Sequence, residues 1–194
     1  MKLILASGSP RRRELLTELG YDYTVFTADF NESVVKFTKP SEGVMALAEG
    51  KAIAAMEKYE GDKSEVIFLG SDTVDAKDDI ILGKPETKED AKRMLKSLSG
   101  ETHQVYTGVA LVTEKGTEKF FSCTNVTFRD LLDEEIDKYV ETGEPMDKAG
   151  AYGIQGLGKL LVRKIDGDYY TVVGLPVTLV YEHLEKHHIY PSFK

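Results

Sequence analysis

The sequence predicts an α/β fold with a mixed sheet and helices, arranged as two lobes around a cleft. Short apolar runs, such as residues 66–69, alternate with segments that have helix caps and helical apolar spacing. Two long β-rich runs flank a turn at residues 115–117, which indicates an antiparallel pair beside the strands that helices connect. No repeat or low-complexity segment divides the 194 residues, so we expect a single domain over residues 1–194.

Local signals define each element of the first part of the chain. Ser9 and Pro10 are typical of a helix start, and Gly20 is typical of a helix end. The continuous apolar run at residues 66–69 indicates a central strand buried on both faces, which we expect to end at residues 70–73. The predicted elements, in order, are a strand at 3–6, a helix from 10 to 20, a strand at 23–26, a helix at 42–59 and a strand at 66–69.

Turn and cap residues also delimit the second part of the chain. Thr87, with Asp90 three residues later, predicts a capped helix, which Gly100 ends. Residues 144–158 are rich in glycine and have no periodicity, so we expect a loop there. The other predicted elements are a turn at 77–79, a strand at 80–82, a helix to 98, β-runs at 105–112 and 120–128, a helix at 133–143, a hairpin of strands at 160–165 and 169–173, and a helix from 176 to about 187.

The overall charge and the cysteine content exclude several classes of protein. With 25 Lys and Arg against 33 Asp and Glu, the net charge is −8, and we expect no binding to nucleic acid. No apolar run approaches the ~20 residues of a membrane span, and the N-terminus has no secretory signal, so we expect no membrane contact. The single Cys123 excludes an internal disulfide framework. These features predict a cytoplasmic protein.

A cluster of small and basic residues follows the first strand. Residues 7–13 read SGSPRRR and open the first helix, whose N-terminal N–H groups and dipole attract anions. Arginines in the first turn oppose that dipole, and a bound phosphate would offset the cost through bidentate contacts. The alternative is a solvated helix face. Because adjacent helix residues diverge by about 100°, we expect Arg11 and Arg12 to face the ligand and Arg13 to face outward.

Two further polar groups follow predicted strands. Asp72 and Thr73 come after the strand at 66–69, where a carboxylate is held rigidly enough to bind a metal or to act as a general base. Lys84 follows the strand at 80–82, and Pro85 fixes its backbone. The alternatives are an Asx-turn role for Asp72 and a surface position for Lys84.

Other known site patterns are incomplete in this chain. Residues 153–160 (GIQGLGKL) match the spacing of a Walker A loop except at the last position, where Leu160 stands in place of the Ser or Thr that binds Mg²⁺. No set of Cys and His residues has zinc-ligand spacing. Neither Ser7 nor Ser9 has an evident triad partner. We therefore expect no P-loop, no zinc site and no serine hydrolase.

Six sequence motifs, spread over most of the chain, carry a resemblance to a known family. They are LASGSPRR (5–12), KA (51–52), GSDT (70–73), GKP (83–85), HQVYTGV (103–109) and EPMDKAGAYGIQG (144–156). This series is similar to the Maf family of nucleoside triphosphate pyrophosphatases. The resemblance implies an inosine-triphosphatase-like fold, which is a curved mixed sheet with an active cleft between two lobes, and a homodimer. It also implies hydrolysis of the α–β phosphoanhydride of a nucleoside triphosphate with a divalent metal cation, Mg²⁺ or Mn²⁺.

Three residues resemble those of the subfamily that acts on dTTP and UTP. Thr73 follows the aspartate, Arg11 follows Ser-Pro, and Gln155 stands in the Gly-Ile-Gln-Gly motif. The sister subfamily, which acts on 7-methyl-GTP, has Gln at the position of Thr73. The resemblance therefore implies hydrolysis of dTTP and UTP, with modified pyrimidine nucleotides as further candidate substrates.

The chain departs from the family pattern directly after Thr73. The family continues with two apolar residues and an Asp-Gly turn, whereas this chain has Val74 and Asp75 and then Asp78 and Asp79. Asp75 is thus an additional carboxylate close to the predicted site.

The residues and the resemblance together predict the catalytic groups and the metal ligands. Asp72 is expected to be the base that accepts a proton from water. Lys51 and Lys84 are expected to add positive charge as negative charge redistributes in the transition state. Glu32 and Asp72 are the expected ligands of the divalent cation, because Mg²⁺ prefers carboxylate and phosphate oxygens.

The same combination predicts the groups that bind the substrate. Ser9, Arg11 and Arg12 are expected to hold the phosphates together with the helix N-terminus. Thr73 and Gln155 are expected to contact the base, because the Gln155 amide offers both a donor and an acceptor to a uracil or thymine edge.

Two other functions stay open at the level of sequence. One is a nucleotide-binding regulator of cell division with little catalysis, which would have no use for a base at Asp72. The other is a purine-directed enzyme of the inosine-triphosphate type, which differs in its choice of substrate.

Overall fold

Seven strands form one mixed sheet in the computed structural model, which describes residues 1–37 and 39–193. They are β1 (Lys2–Leu5), β2 (Tyr23–Val25), β3 (Val66–Lys77), β4 (Ile80–Leu82), β5 (Thr102–Thr113), β6 (Gly116–Phe128) and β7 (Val162–Asp166). The order across the sheet is β2-β1-β3-β5-β6-β7, and β4 pairs with β3. β1 is parallel to β2 and to β3, whereas the β3–β4 and β6–β7 pairs are antiparallel. The predicted α/β class with a mixed sheet is confirmed.

Six α-helices accompany this sheet within the described residues. They are α1 (Pro10–Glu18), α2 (Pro40–Lys58), α3 (Lys88–Leu98), α4 (Asp133–Glu141), α5 (Tyr169–Val173) and α6 (Val177–Lys186). Short 3-10 helices lie at Glu32–Val34, Glu144–Asp147, Ala149–Ala151 and Leu157–Leu161, so the region expected to be a loop contains helical turns. None of the helices within residues 1–37 and 39–193 combines the length and the apolarity that crossing a bilayer requires.

The described chain divides into two compact units, and each has its own apolar core. The first unit comprises Met1–Thr73, Thr107–Ser122 and Gly174–Lys194, and the second comprises Val74–Tyr106 and Cys123–Val173. In the first unit, alanines of α2 pack with Phe68 and other apolar side chains of β1, β3 and β5. In the second unit, Leu95 and Leu98 of α3 pack with Phe128, Tyr152 and the buried face of α4. The cleft and the single domain over 1–194 stay predictions.

Most helix boundaries follow the predicted local signals. Pro10 is the first residue of α1 with Ser9 as its N-cap, and Gly20 adopts a positive φ of 75° after the helix. Thr87 caps α3, because its side chain accepts a hydrogen bond from the N–H of Asp90 at 3.1 Å. These positions agree with prediction because caps and stop residues act within a few residues of the chain.

Strand β3 is longer than predicted. The strand was expected to end at residues 70–73, but it continues without interruption from Val66 to Lys77. Pairing with β5 and, from Asp75 onward, with β4 keeps this segment in the sheet. A Cβ at Gly70 would overlap the carbonyl oxygen of Ala48 on α2, so the absence of a side chain allows the helix to lie directly on the strand. Asp72 and Thr73 are therefore residues within a strand and do not follow its end.

The expected strand at residues 169–173 is also wrong, because this segment forms α5. The Asp168 carboxylate accepts hydrogen bonds from the N–H groups of Tyr170 and Thr171, each at 3.0 Å, and from the Thr171 hydroxyl at 2.9 Å. This capping pattern satisfies N–H groups of the first helical turn and outweighs the strand preference of the Tyr and Val side chains. Residues 160–165 contribute only β7 (Val162–Asp166) to the sheet.

Glycines determine how closely α2 approaches the sheet in the first unit. A Cβ at Gly108 on β5 would overlap the backbone of Val44, as a Cβ at Gly70 would overlap that of Ala48. Val44 and Ala48 are four residues apart and lie on one helix face. The two glycines thus allow consecutive turns of α2 to lie directly against the sheet.

We expect Gly70→Ala to destabilise the chain by about 1–3 kcal/mol, because the added methyl group must displace α2 from β3. At this chain length the change lowers Tm by roughly 3–10 °C, which calorimetry measures. Gly83→Ala is the matched control, since a Cβ at Gly83 has no neighbour within 4 Å. Equal Tm values for the two variants would contradict the close packing at Gly70.

Candidate active site

The first unit contains a buried carboxylate that is paired with a lysine. Asp72 lies on the same face of β3 as Gly70, since alternate residues of a strand share a face. Lys51 lies one turn beyond Ala48 on the α2 face that contacts Gly70. Its Nζ is 2.6 Å from Asp72 Oδ1 and 2.9 Å from Glu32 Oε1. The close packing of α2 on β3 thus brings Lys51 to Asp72, and Glu32 reaches the same ammonium group from the 3-10 helix Glu32–Val34.

Burial and the lysine have opposite effects on Asp72. Burial raises the pKa of Asp72 above its ordinary value, whereas the charge and hydrogen bond of Lys51 lower it in part. Arg12 also lowers the pKa of Asp72, and Glu32 raises it. A carboxyl group with a raised pKa is a better proton acceptor than an exposed one, because its basicity is closer to the operating pH.

The opposite face of β3 carries a second polar network, which is centred on Arg12. Its Nε donates to the carbonyl oxygen of Gly174 at 2.7 Å, its Nη1 to Ser7 Oγ at 3.0 Å and its Nη2 to Thr73 Oγ1 at 3.2 Å. The Thr73 hydroxyl lies 2.8 Å from Thr107 Oγ1. Burial lowers the pKa of Arg12 to about 10, so the guanidinium is still charged at neutral pH.

Three hydrogen bonds leave part of the Arg12 guanidinium available to a ligand. The group has five N–H donors, and its contacts with Gly174, Ser7 and Thr73 use three of them. The remaining N–H groups can donate to an anion without breaking the network.

The neighbours of Arg12 on α1 occupy different environments. Arg11 and Arg13 are exposed, whereas Arg12 is half-buried. Ser9 is half-buried, its side chain forms no capping hydrogen bond, and its N–H donates to Ser7 Oγ at 3.3 Å. The expected roles of Ser9, Arg11 and Arg12 in phosphate binding stay predictions.

Lys84 and Gln155 are exposed residues of the second unit. Gln155 lies between two anchored parts of the backbone. Glu144 accepts hydrogen bonds from the N–H groups of Leu157 at 2.8 Å and Gly158 at 3.0 Å. Although burial favours the neutral acid, these N–H groups lower the pKa of Glu144. The charged carboxylate therefore fixes the chain immediately after Gln155.

The chemistry of Glu32 and Asp72 fits a divalent cation that is shared with a substrate. Two carboxylates converge on one ammonium group, and Mg²⁺ is usually held by one or two carboxylates together with substrate phosphates. Within residues 1–37 and 39–193, no group of three or more His, Cys, Asp or Glu side chains is arranged to hold a metal ion by itself. The two carboxylates therefore suit a cation that arrives with phosphate oxygens.

Comparison with known protein families gives a match that spans nearly the whole chain. Residues 2–187 match the family model described as Maf-like protein. The chain belongs to the Maf family. The match covers both compact units of this Maf protein and confirms the resemblance inferred from its motifs.

Curated relatives of this Maf protein carry a more specific name. A Bacillus anthracis protein named dTTP/UTP pyrophosphatase is 48% identical over 188 residues, which cover 97% of this chain and 96% of the relative. A Bacillus cytotoxicus protein with the same name is 49% identical over 185 residues, which cover 95% of each chain.

Sequence reasoning missed several members of the Arg12 network. Ser7 belongs to the SGSPRRR cluster, but its hydroxyl serves as an acceptor for Arg12 and was not singled out. Thr107 lies in the HQVYTGV motif and contacts Thr73. The Gly174 carbonyl, which accepts from Arg12, has no side-chain signal, although the positive φ of 120° at this position favours glycine.

Arg12→Lys should destabilise this Maf protein by about 1–3 kcal/mol, because one ammonium group cannot replace three directed donors and leaves acceptors unpaired. Urea denaturation followed by circular dichroism measures the change. The control is Arg13→Lys on the exposed side of α1, for which we expect a change within about 0.5 kcal/mol. Similar midpoints for both variants would show that the Arg12 network does not contribute to stability.

Proposed function

We propose that this chain is a dTTP/UTP pyrophosphatase, which hydrolyses dTTP or UTP to the monophosphate and pyrophosphate. The observation that carries the proposal is the buried Asp72 carboxylate held 2.6 Å from Lys51 Nζ beside Glu32. That arrangement combines a proton acceptor with the charges that a phosphoryl transfer requires. The names of relatives that are 48–49% identical support the choice of substrate.

In the proposed reaction, water attacks a phosphorus atom of the α–β anhydride and the bridging P–O bond breaks. Asp72 accepts the proton of the attacking water, and Lys51 holds the carboxylate in place through its hydrogen bond. Lys84 supplies positive charge to the phosphates in the transition state. A nucleotide-binding regulator would not need the base, so Asp72 distinguishes the two hypotheses.

Glu32 and Asp72 are the residues that would hold the divalent cation, Mg²⁺ or Mn²⁺. When bound, the cation neutralises phosphate charge and favours departure of pyrophosphate. Lys51 Nζ lies within 3 Å of an oxygen of each carboxylate, so it keeps the two groups close together.

The phosphates bind, in this proposal, at the N-terminus of α1 and its arginines. The free N–H groups of the first turn and the side chains of Ser9 and Arg11 supply donors. Arg12 adds the N–H groups that its network leaves available. The phosphate charge also compensates the unfavourable placement of arginines at the positive end of the helix dipole.

Thr73 and Gln155 recognise the base in this proposal. The Gln155 amide matches the O4 acceptor and N3–H donor of uracil or thymine, whereas cytosine reverses this pattern. A site that leaves polar groups unpaired with the wrong base discriminates strongly against it.

We also propose that the chain acts as a single domain over residues 1–194, as a homodimer, and in the cytoplasm. The single Cys123 is consistent with a reducing compartment. The net charge of −8 disfavours nucleic acid as a partner.

The direct test measures pyrophosphate release from canonical and modified nucleoside triphosphates with Mg²⁺ or Mn²⁺. We expect release from dTTP and UTP, much less from CTP, and almost none from ATP and GTP. Binding of dTTP without release of pyrophosphate would support the regulator instead. Preference for purine substrates would support the inosine-triphosphate type of enzyme.

Asp72→Asn should lower kcat for dTTP by about 10²–10⁴-fold, because the amide keeps the shape of the side chain but cannot accept the proton. Steady-state assays at saturating metal measure the change. Asp78→Asn is the matched control, since Asp78 is an exposed turn residue with a φ of 52° that asparagine tolerates. Near-normal turnover by Asp72→Asn would refute the assigned base.

Gln155→Ala should reduce the preference for UTP over CTP more than it reduces kcat for UTP, because it removes contacts with the base and none with the phosphates. Specificity constants for UTP, CTP and GTP measure this effect. Gln104→Ala is the control, since Gln104 donates to Asn125 Oδ1 on the neighbouring strand. If both variants keep the wild-type preference, Gln155 does not read the base.

A further inference from the structure

The second unit contains a buried polar cluster that the proposed reaction does not use. Asp75 and His103 are 6% and 0% exposed. The Asp75 carboxyl group and the Tyr152 hydroxyl are hydrogen-bonded, and Tyr152 Oη lies 2.9 Å from His103 Nε2. Asp75 Oδ1 lies 3.6 Å from the same His103 nitrogen. These three side chains form a continuous chain of polar contacts, here called the Asp75 cluster.

Aromatic and backbone groups enclose the Asp75 cluster. Phe128 packs edge-to-face against both His103 and Tyr152, with ring centroids 5.2 and 4.8 Å apart. Gly150 closes another side, where a Cβ would lie 3.2 Å from Asp75 Cγ. The glycine at position 150 therefore lets the backbone pack against the carboxyl group of Asp75.

These surroundings favour the uncharged forms of all three groups. Burial raises the pKa of Asp75 to about 8 and lowers the pKa of His103 to about 4, with a further lowering from Lys77. Burial also raises the pKa of Tyr152, as do Asp75 and Tyr139. Within residues 1–37 and 39–193, His103 Nδ1 has no hydrogen-bond partner, so a charged imidazolium would bury an unpaired N–H.

Tyr152 connects this cluster to the backbone that carries Gln155. The residues between Tyr152 and Leu157 form a short bridge, which is anchored before Gln155 by the Tyr152 side chain. It is anchored after Gln155 by the N–H groups that donate to Glu144. An exposed residue between two such anchors has little freedom to move, because the bridge is short.

We propose that Asp75 is a positioning residue that acts through Tyr152 to hold the Gln155 bridge in the conformation that recognises a pyrimidine base. This inference rests on the proposed function of Gln155. The neutral acid serves as a hydrogen-bonding partner for Tyr152 inside an apolar core. Ionisation at alkaline pH places a charge in this core that the Tyr152 hydrogen bond stabilises only in part, and the chain relieves it by loosening the bridge.

The test compares Asp75→Val, Asp75→Asn and Tyr152→Phe with wild type by measuring KM and kcat for UTP and CTP between pH 6.5 and 9. Asp75→Val and Tyr152→Phe should raise KM for UTP about five- to tenfold and lower the UTP:CTP specificity ratio. Their kcat should stay within about twofold of wild type, because neither Asp75 nor Tyr152 is among the groups that are proposed to contact the phosphates or the attacking water. Leu98→Ala, which destabilises the same core, is the control and should leave KM for UTP and the UTP:CTP specificity ratio unchanged.

Asp75→Asn separates hydrogen bonding from ionisation. We expect KM of wild type to rise above pH 8, and Asp75→Asn should keep the selectivity of wild type but lose this rise. The ionisation of Asp75 should also make Tm depend on pH. The folded-state pKa of Asp75, about 8, lies above the ordinary 3.8, so the folded chain keeps a proton that the unfolded chain loses. The stability therefore falls as pH rises. Because the folded-state pKa of His103 is lowered to about 4, its contribution makes the stability rise with pH below pH 6.5. Between pH 6.5 and 8, Asp75→Asn should therefore flatten the fall of Tm.

Amide hydrogen exchange of residues 153–158 provides a readout that does not depend on catalysis. Asp75→Val should lower protection there about tenfold, and Leu98→Ala should not. Unchanged protection, unchanged KM and selectivity, or equal effects of Leu98→Ala would overturn the positioning role. If wild type releases no pyrophosphate from dTTP or UTP, the proposed function fails, whereas the exchange data still decide whether Asp75 anchors the bridge.

Discussion

The contact between α2 and β3 at Gly70 is the constraint on which the first unit depends. Because glycine has no side chain, Ala48 of the helix reaches the strand backbone. Lys51, one turn later, then meets Asp72, two residues further along the same strand face. Backbone packing thus brings the two residues within reach of each other, and the Lys51 side chain completes the pair at 2.6 Å.

The two faces of β3 carry polar side chains with different partners. One face carries Asp72 toward Lys51 and Glu32, and these three side chains form a cluster of charges. The other face carries Ser71 and Thr73 toward the Gly174 carbonyl and Arg12, which form a network of directed hydrogen bonds. Strand alternation therefore separates the charged cluster from the Arg12 network within three consecutive residues.

Sequence reasoning succeeded where the decisive interactions are local and failed where they are not. The caps of α1 and α3 depend on residues adjacent in sequence, and they were predicted correctly. Residues 70–73 were expected to end the strand because glycine and aspartate are rare in strands, yet pairing with the distant strand β5 continues β3 through them. That Lys51 and Asp72 belong to one site was expected only through the family motifs, and their ion pair was not predicted. The Gly174 carbonyl had no sequence signal, because backbone acceptors leave no trace in residue type.

The uninterrupted course of β3 from Val66 to Lys77 has a consequence for how this chain can vary in length. Successive side chains of a strand point to opposite faces of the sheet. One residue inserted between Gly70 and Asp75 would therefore turn Asp72 or Asp75 to the opposite face. The two-residue turn at Asp78 and Asp79, where φ is positive, lies outside the paired strands, so its length does not determine which face a strand residue occupies. Insertions and deletions are therefore tolerated at the tip of the β3–β4 hairpin and excluded from the strand a few residues earlier.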